Sequence, residues 1–367
     1  MMMNELVEKI EKYSNEVLVG AARYYDQVEE FPEEQVKKLF DLGFFQSLYA
    51  ESNTHYQHYL SNLRLVSHHF PALASIMLTQ ESHALYPFTK FGTSEQQARY
   101  LPELLLGNQF GSFALNEEHS GSDITEMLTV AEKVAGGWQL TGEKQYISNA
   151  PVASLFLIAA RVINRGQEDT YGVFIVKQGA KGFEVGKPED KMGIRALPVA
   201  NIKMTNVFVS EDEVLGGCLN GEEQVNAILN RNRLAVTAQA IGISEGAMKR
   251  ALGYVSRKRN IGKRLIDLQN TQFKLAEIET KLYADNALLN QVVTTHQDDD
   301  RFIAMAKLSA SNHAIDITET IISLVGGYGY MKNNDIERLI RDAKITAIYG
   351  SSSNRLRKII AEPWTAC

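Results

Sequence analysis

The sequence predicts a mostly helical protein with a central β domain. Three observations carry that expectation: hydrophobic residues recur at helical spacing from the start to about residue 112, the period shifts toward two between about 113 and 215, and helical spacing returns from about 222 onward. The expected domains are therefore 1–112, 113–215 and 216–367.

In the first region, FPEEQVKKLFDLG (31–43) places Pro32 at a helix start and Gly43 where that helix would stop. In the second, VAEKVAGGWQLTG (130–142) reads as a hairpin turning at Gly136-Gly137, residues that accept positive φ. SLFLIAARV (154–162) and YGVFIVK (171–177) read as further strands around the polar loop NRGQED (164–169). In the third region Val236, Ala240, Ile243, Ala247, Ala251 and Val255 fall on one helical stripe, as Ile303, Ala306, Ala314, Ile317, Ile321 and Leu324 do later. Ala235, Ala238, Gly242 and Gly246 are small enough for close helix packing. The run Asp298, Asp299, Asp300 reads as a solvated loop between helices.

A chain of 367 residues, 44% of them hydrophobic, has ample core for several packed units. Its formal net charge of −6 argues against a nucleic-acid binder. No stretch approaches the roughly 20 apolar residues of a membrane span, and MMMNELVEKIEKY lacks the apolar core of a signal peptide. The expectation is a cytoplasmic protein. Cys218 and Cys367 lie far apart and read as reduced thiols. The pairs His55/His58 and His68/His69 have no carboxylate or cysteine at ligand spacing, so no metal site is expected.

Five separated motifs carry the functional signal: ALNEEHSGSD (114–123), GEKQYISNA (142–150), KMGIRA (191–196), VGGYGY (325–330) and ERLIRDAKITAIYG (337–350). In this order and spacing, from about Phe31 to about Arg357, the series resembles the flavin-dependent acyl-CoA dehydrogenase family. The resemblance implies an N-terminal α-helical domain, a β-barrel-like middle domain and a C-terminal four-helix bundle that assembles as a homotetramer or dimer. It also implies FAD, a thioester substrate on coenzyme A or on an acyl carrier protein, and an electron acceptor.

Carried over residue by residue, the resemblance puts Leu115, Asn116 and Gly121 against the flavin and Ser122 against flavin or substrate. Asn116 stands where the family usually has threonine, and Glu118 where it has proline. Tyr146 would lie against the isoalloxazine and Ser148 would meet its N5, contacts that tune hydride acceptance. SRKRNIGKR (256–264) resembles the segment that reaches a neighbouring subunit's pyrophosphate, where Lys258 and Arg259 supply cationic donors. Gln269, Ser323 (in place of a glutamine), Gly326, Gly327, Ser352 and Asn354 complete the implied cofactor set. The implied substrate residues are Ser122, Asn230, Arg233, Tyr349 and Gly350.

The proton acceptor is the gap in the pattern. Removing a weakly acidic Cα proton from a thioester normally demands a positioned carboxylate. The family keeps it at one of two places, occupied here by Gly350 and Asn232, and neither glycine nor an amide can act as that base. The backbone N–H at 350 can still donate to a thioester carbonyl. The catalytic residue is thus unassigned, with Glu81 and His83 of TQESHALYP (79–87) as candidates that read equally as ordinary buried or helix-surface polar residues. The expected function is an FAD-dependent oxidoreductase of an acyl thioester. A flavin-dependent monooxygenase on the same scaffold and a non-catalytic flavin-binding subunit are the alternatives.

Overall fold

The computed structural model describes residues 2–45, 48, 55–121, 123–163, 170–258 and 262–365, without the side chains of residues 2–4 and 55. The loop 164–169 and Cys367 lie outside these residues.

The N-terminal layer consists of α1 (Met2–Tyr13), α2 (Val19–Val28), α3 (Glu33–Asp41), α4 (His55–Ser67), α5 (Pro71–Gln80), α6 (Tyr86–Phe91) and α7 (Ser94–Leu106). Pro32 precedes α3 and Gly43 follows it at φ +86°, as the sequence predicts. α5 is buried along all of its residues, its polar Ser75 and Gln80 included, and forms the centre of this layer. It runs into a π-helical turn, Glu81–Leu85, before α6 begins. Such turns interrupt the regular ladder and recur at functional sites.

The middle domain holds β1 (Gly111–Ala114), β2 (Val130–Val134), β3 (Gly137–Ser148), β4 (Leu155–Ile163), β5 (Thr170–Lys177), β6 (Phe183–Val185) and β7 (Val199–Ser210) in one sheet. Strand order is β1-β4-β2-β3-β7-β6, with β5 on β4. The β2–β3 hairpin forms as expected, but only Gly136 adopts positive φ, at +77°. Gly137 is required for a different reason: a Cβ there would stand 2.2 Å from the Val209 carbonyl of β7.

The C-terminal layer comprises α8 (Gly221–Val255), α9 (Gln269–Thr295), α10 (Asp300–Val325), α11 (Gly327–Tyr330), α12 (Ile336–Ile345) and α13 (Ser353–Thr365). α8 packs on α10, α9 and α4, which buries its residues on every side. The small residues expected on α8 act where α4 crosses, since a Cβ at Gly242 would meet the Arg64 carbonyl at 2.5 Å and one at Gly246 the His68 carbonyl at 2.2 Å. The acidic run is not merely a solvated loop. Asp299 caps α10 by accepting from the N–H groups of Arg301 and Phe302, and Asp300 accepts from Asn226 and Asn230 of α8. Among the described residues no helix is long and apolar enough to cross a membrane.

Candidate active site

The loop that follows β1 is fastened from beneath by a buried ion pair. Lys144 of β3, wholly buried, donates to the Leu115 carbonyl (3.0 Å) and to Glu117 (2.8 Å), while Glu117 also accepts the N–H groups of Leu128 and Thr129. Burial pulls the Lys144 ammonium down to about 8, with Glu117 opposing. Burial also works against the Glu117 carboxylate, but Lys144 and the donors around it hold it below its ordinary range.

Next to this loop β3 departs from regular pairing. Its register with β7 shifts between Lys144 and Ile147, and Tyr146 stands in the irregularity at φ +58° with its N–H on Asn201 Oδ1 (2.9 Å). A bulge of this kind re-aims a side chain. Here the Tyr146 ring is turned outward and is 63% exposed. The Gln145 N–H donates to the Asn116 carbonyl (2.8 Å), which sets the first motif against the second. The side chains of Asn116, Tyr146 and Ser148 make no hydrogen bond among the described residues. Buried Leu115, an open aromatic ring and three unengaged polar side chains suit a flat ligand with a polar edge.

Ser122 and Arg259 lie outside the described residues. Gly121 is exposed, and Arg355 of α13, the helix that carries Asn354 and follows Ser352, pairs with Asp123 of this loop (3.0 Å). The other implied cofactor residues gather elsewhere. Tyr254 of α8 stacks on Tyr328 of α11 at 4.0 Å, which joins the α8 end bearing Lys258 to the Gly326-Gly327 turn, and Gln269 opens α9. Ser323 turns its hydroxyl back to the Glu319 carbonyl (2.9 Å). Strand β3 packs instead on β1, β2 and β7, so one chain carries these residues as two separate clusters.

On the substrate side, consecutive residues of α8 serve different neighbours. Arg231 stacks over the Tyr56 ring at 3.3 Å and the Tyr86 ring at 4.9 Å, and pairs with Glu81 through Nη2 (2.6 Å) and Nε (2.8 Å). Asn232 donates to Ser82 Oγ (3.0 Å). Arg233, 2% exposed, donates to Asn230 Oδ1 (2.6 Å) and Ser351 Oγ (2.9 Å). Burial draws its guanidinium down to about 10, with Asp300 opposing.

The two positions where a base is expected face each other. A Cβ added to Gly350 would stand 2.7 Å from Asn232 Oδ1. Gly350 has φ +62°, Ser351 follows at +87°, and the Gly350 N–H makes no hydrogen bond among the described residues. Tyr349, whose hydroxyl burial raises above its ordinary value, donates to Gln239 Oε1, and Gln239 in turn binds Ser75 Oγ (2.7 Å) and the Pro71 carbonyl (2.8 Å). The turn 349–351 is therefore anchored at both ends, with a free donor between.

Of the two sequence candidates for the base, Glu81 is fully buried and committed through Oε1 to Arg231, while its Oε2 has no hydrogen-bond partner among the described residues. Burial pushes its carboxyl up, with Arg231 opposing. His83 lies against Phe113 of β1 at 5.8 Å between ring centres, its Nδ1 without a hydrogen-bond partner among the described residues, and burial pulls it down to about 4. It is neutral near pH 7.

Sequence reasoning missed Arg231, Ser82, Ser351 and Lys307. Lys307 is fully buried on α10 and donates to the Ser351 carbonyl at 2.7 Å. Its signal was available, since a lysine interrupts the apolar stripe that runs through Ile303, Ala306 and Ala314.

The sheet domain presents an open aromatic ring at Tyr146, and the helical side presents a backbone N–H at Gly350 with no partner among the described residues, features that suit an oxidoreductase of acyl groups. Family models for the acyl-CoA dehydrogenase N-terminal, middle and C-terminal domains match residues 3–108, 112–207 and 220–364. The chain belongs to the acyl-CoA dehydrogenase family. It is 32% identical over 370 residues to a 3-(aryl)acrylate reductase of Clostridium sporogenes, covering 98% of this chain and 97% of the relative. An acyl-CoA dehydrogenase of Bacillus subtilis is 31% identical over 98% of this chain and 96% of its own length. Among solved structures, butyryl-CoA dehydrogenase from Megasphaera elsdenii superposes with TM-score 0.92 at 26% identity, covering 99% of this chain and 98% of that one. A prolyl acyl carrier protein oxidase superposes with TM-score 0.90 at 25% identity, over 99% and 98% of the two chains.

Proposed function

We propose that the protein is an FAD-dependent oxidoreductase acting on an acyl thioester of coenzyme A or a carrier protein, without a glutamate at either position where its family keeps one. The observation that carries this reading is the unpaired Gly350 N–H in an anchored turn, facing an amide at Asn232. A preorganised backbone donor stabilises charge that develops on a thioester carbonyl, and it needs no side chain.

FAD fits the residues present. Tyr146 offers a ring face, Ser148 and Asn116 offer unengaged donors and acceptors, and the Lys258 end of α8 offers a cation for a phosphate. Bound there, the flavin supplies the hydride acceptor. Asn230 and Arg233 orient the pantetheine arm, Tyr349 fixes the turn, and Gly350 polarises the carbonyl. Glu81 and His83 are the candidates left for proton removal. Because a single chain holds the two cofactor clusters apart, a homo-oligomer in which Lys258 and Arg259 serve a neighbour completes the site. A separate electron acceptor and a cytoplasmic location belong to the same reading.

The test is anaerobic titration of the purified protein with a panel of acyl-CoA and acyl-carrier thioesters, following the flavin spectrum. The expected result is FAD near one per chain, reduced by at least one class of thioester. Flavin that responds to a nicotinamide reductant but to no thioester would identify the monooxygenase instead. A protein that binds no flavin would leave only the binding-subunit alternative.

A further inference from the structure

Lys307 is difficult to explain as a stability residue. It lies at 0% exposure on α10, its apolar neighbours on the stripe are Ile303, Ala304, Ala306 and Ala310, and no carboxylate pairs with it among the described residues. Burial draws its ammonium down to about 7, and the Arg233 guanidinium, of like sign, acts in the same direction. A buried charge without a counterion is destabilising, and an apolar side chain of the same length would pack better.

What Lys307 touches gives the explanation. Its only hydrogen bond among the described residues is to the carbonyl of Ser351, a non-glycine residue at φ +87° directly after Gly350 at +62°. Two successive residues in the left-handed region form a strained turn, and such strain persists only where the surroundings hold it. Tyr349 is held through Gln239 and the Ser351 hydroxyl through Arg233, but the peptide carbonyl that closes the turn is held by Lys307.

We propose that Lys307 is a positioning residue of the thioester site: through the Ser351 carbonyl it fixes the Gly350–Ser351 turn, and with it the unpaired Gly350 N–H, in the orientation that receives the substrate carbonyl. The proposal rests on the reading of that N–H as the thioester donor, and the experiment separates the two. Acetyl-pantetheine, a thioester with no Cβ hydrogen to lose, and its thioether counterpart, which lacks only the carbonyl oxygen, are titrated into the FAD-loaded protein by calorimetry, so that binding is read without turnover.

Wild type should favour the thioester by roughly five- to tenfold, the value of one net hydrogen bond. Lys307→Met should bring that ratio close to one with FAD affinity unchanged, and Lys307→Arg should recover most of it. A residue that merely supports the fold would weaken both ligands equally and leave the ratio alone. A wild type that shows no preference, or binds neither probe, overturns the thioester reading and this proposal with it. A preference that survives in Lys307→Met overturns the proposal alone. If Lys307→Met yields no folded protein, Lys307→Gln is measured in the same way, and an unchanged ratio there has the same meaning.

Discussion

Returning a carboxylate to the site by its two routes should give unequal results, because the two positions are in contact. For Gly350→Glu, the new Cβ enters a residue at φ +62° and lies 2.7 Å from Asn232 Oδ1. The left-handed backbone costs about 1–2 kcal/mol for a non-glycine residue. Displacing Asn232 from Ser82 gives up a hydrogen bond of 3.0 Å, worth about 1 kcal/mol more. The single variant should therefore lose roughly 2–3 kcal/mol. Removing the opposing amide with Asn232→Ala should return about 1 kcal/mol as coupling in the double variant.

Asn232→Glu meets no such backbone penalty, since position 232 is ordinary helix and 2% exposed. Burial would raise the new carboxyl toward neutral pH, which suits a proton acceptor. Single-turnover flavin reduction by one unbranched saturated acyl-CoA should be slow in wild type. It should rise by about 10²- to 10⁴-fold in Asn232→Glu, and by less in Gly350→Glu unless Asn232→Ala accompanies it. Thermal melting of the four proteins measures the coupling. A Gly350→Glu protein as stable as wild type, with no coupling to Asn232→Ala, would refute the contact. Rapid wild-type reduction that Glu81→Gln abolishes would instead show that the base has moved to Glu81.

Two further outcomes follow from burial. A lysine whose native value of about 7 lies below its ordinary one binds fewer protons when folded, so its contribution to stability grows as pH rises from about 7 toward 10. Lys307→Met should therefore melt above wild type at pH 6, where the buried charge is fully present. The advantage should shrink by at most about 1.4 kcal/mol per pH unit above pH 7 and reverse near pH 9, where the unbonded Ser351 carbonyl dominates; a difference independent of pH contradicts this. Gly246→Ala pushes a methyl to 2.2 Å from the His68 carbonyl, so it should destabilise by roughly 1–3 kcal/mol in chemical denaturation. Neutrality there would mean that α4 and α8 are farther apart than described.

Periodicity was sufficient for the three-layer order, because burial on one face is what periodicity records. Turn chemistry was readable where it depended on a single residue, as at Gly43 and Gly136. It was not readable at Gly137, whose need for a hydrogen side chain comes from a strand more than sixty residues away. In the site, the family resemblance named Tyr146, Asn230, Arg233 and Gly350 individually as candidates, but the facing of Gly350 and Asn232 required the fold. Arg231 and Lys307 escaped notice for a common reason. Each is a cation whose partner, Glu81 or the Ser351 carbonyl, is distant in sequence.

The helix α8 has a consequence for how such a site changes over time. Successive residues of a helix are turned by about 100°, and Arg231, Asn232 and Arg233 accordingly meet three sets of neighbours: the Tyr56–Tyr86–Glu81 cluster, Ser82 with Gly350, and Asn230 with Ser351. A substitution at any one of them acts first on a different set of neighbours. Inserting or deleting a single residue upstream in the helix would rotate all three out of their compartments together. New chemistry on this scaffold is therefore reached by exchanging side chains on α8, one letter at a time, and not by changing its length.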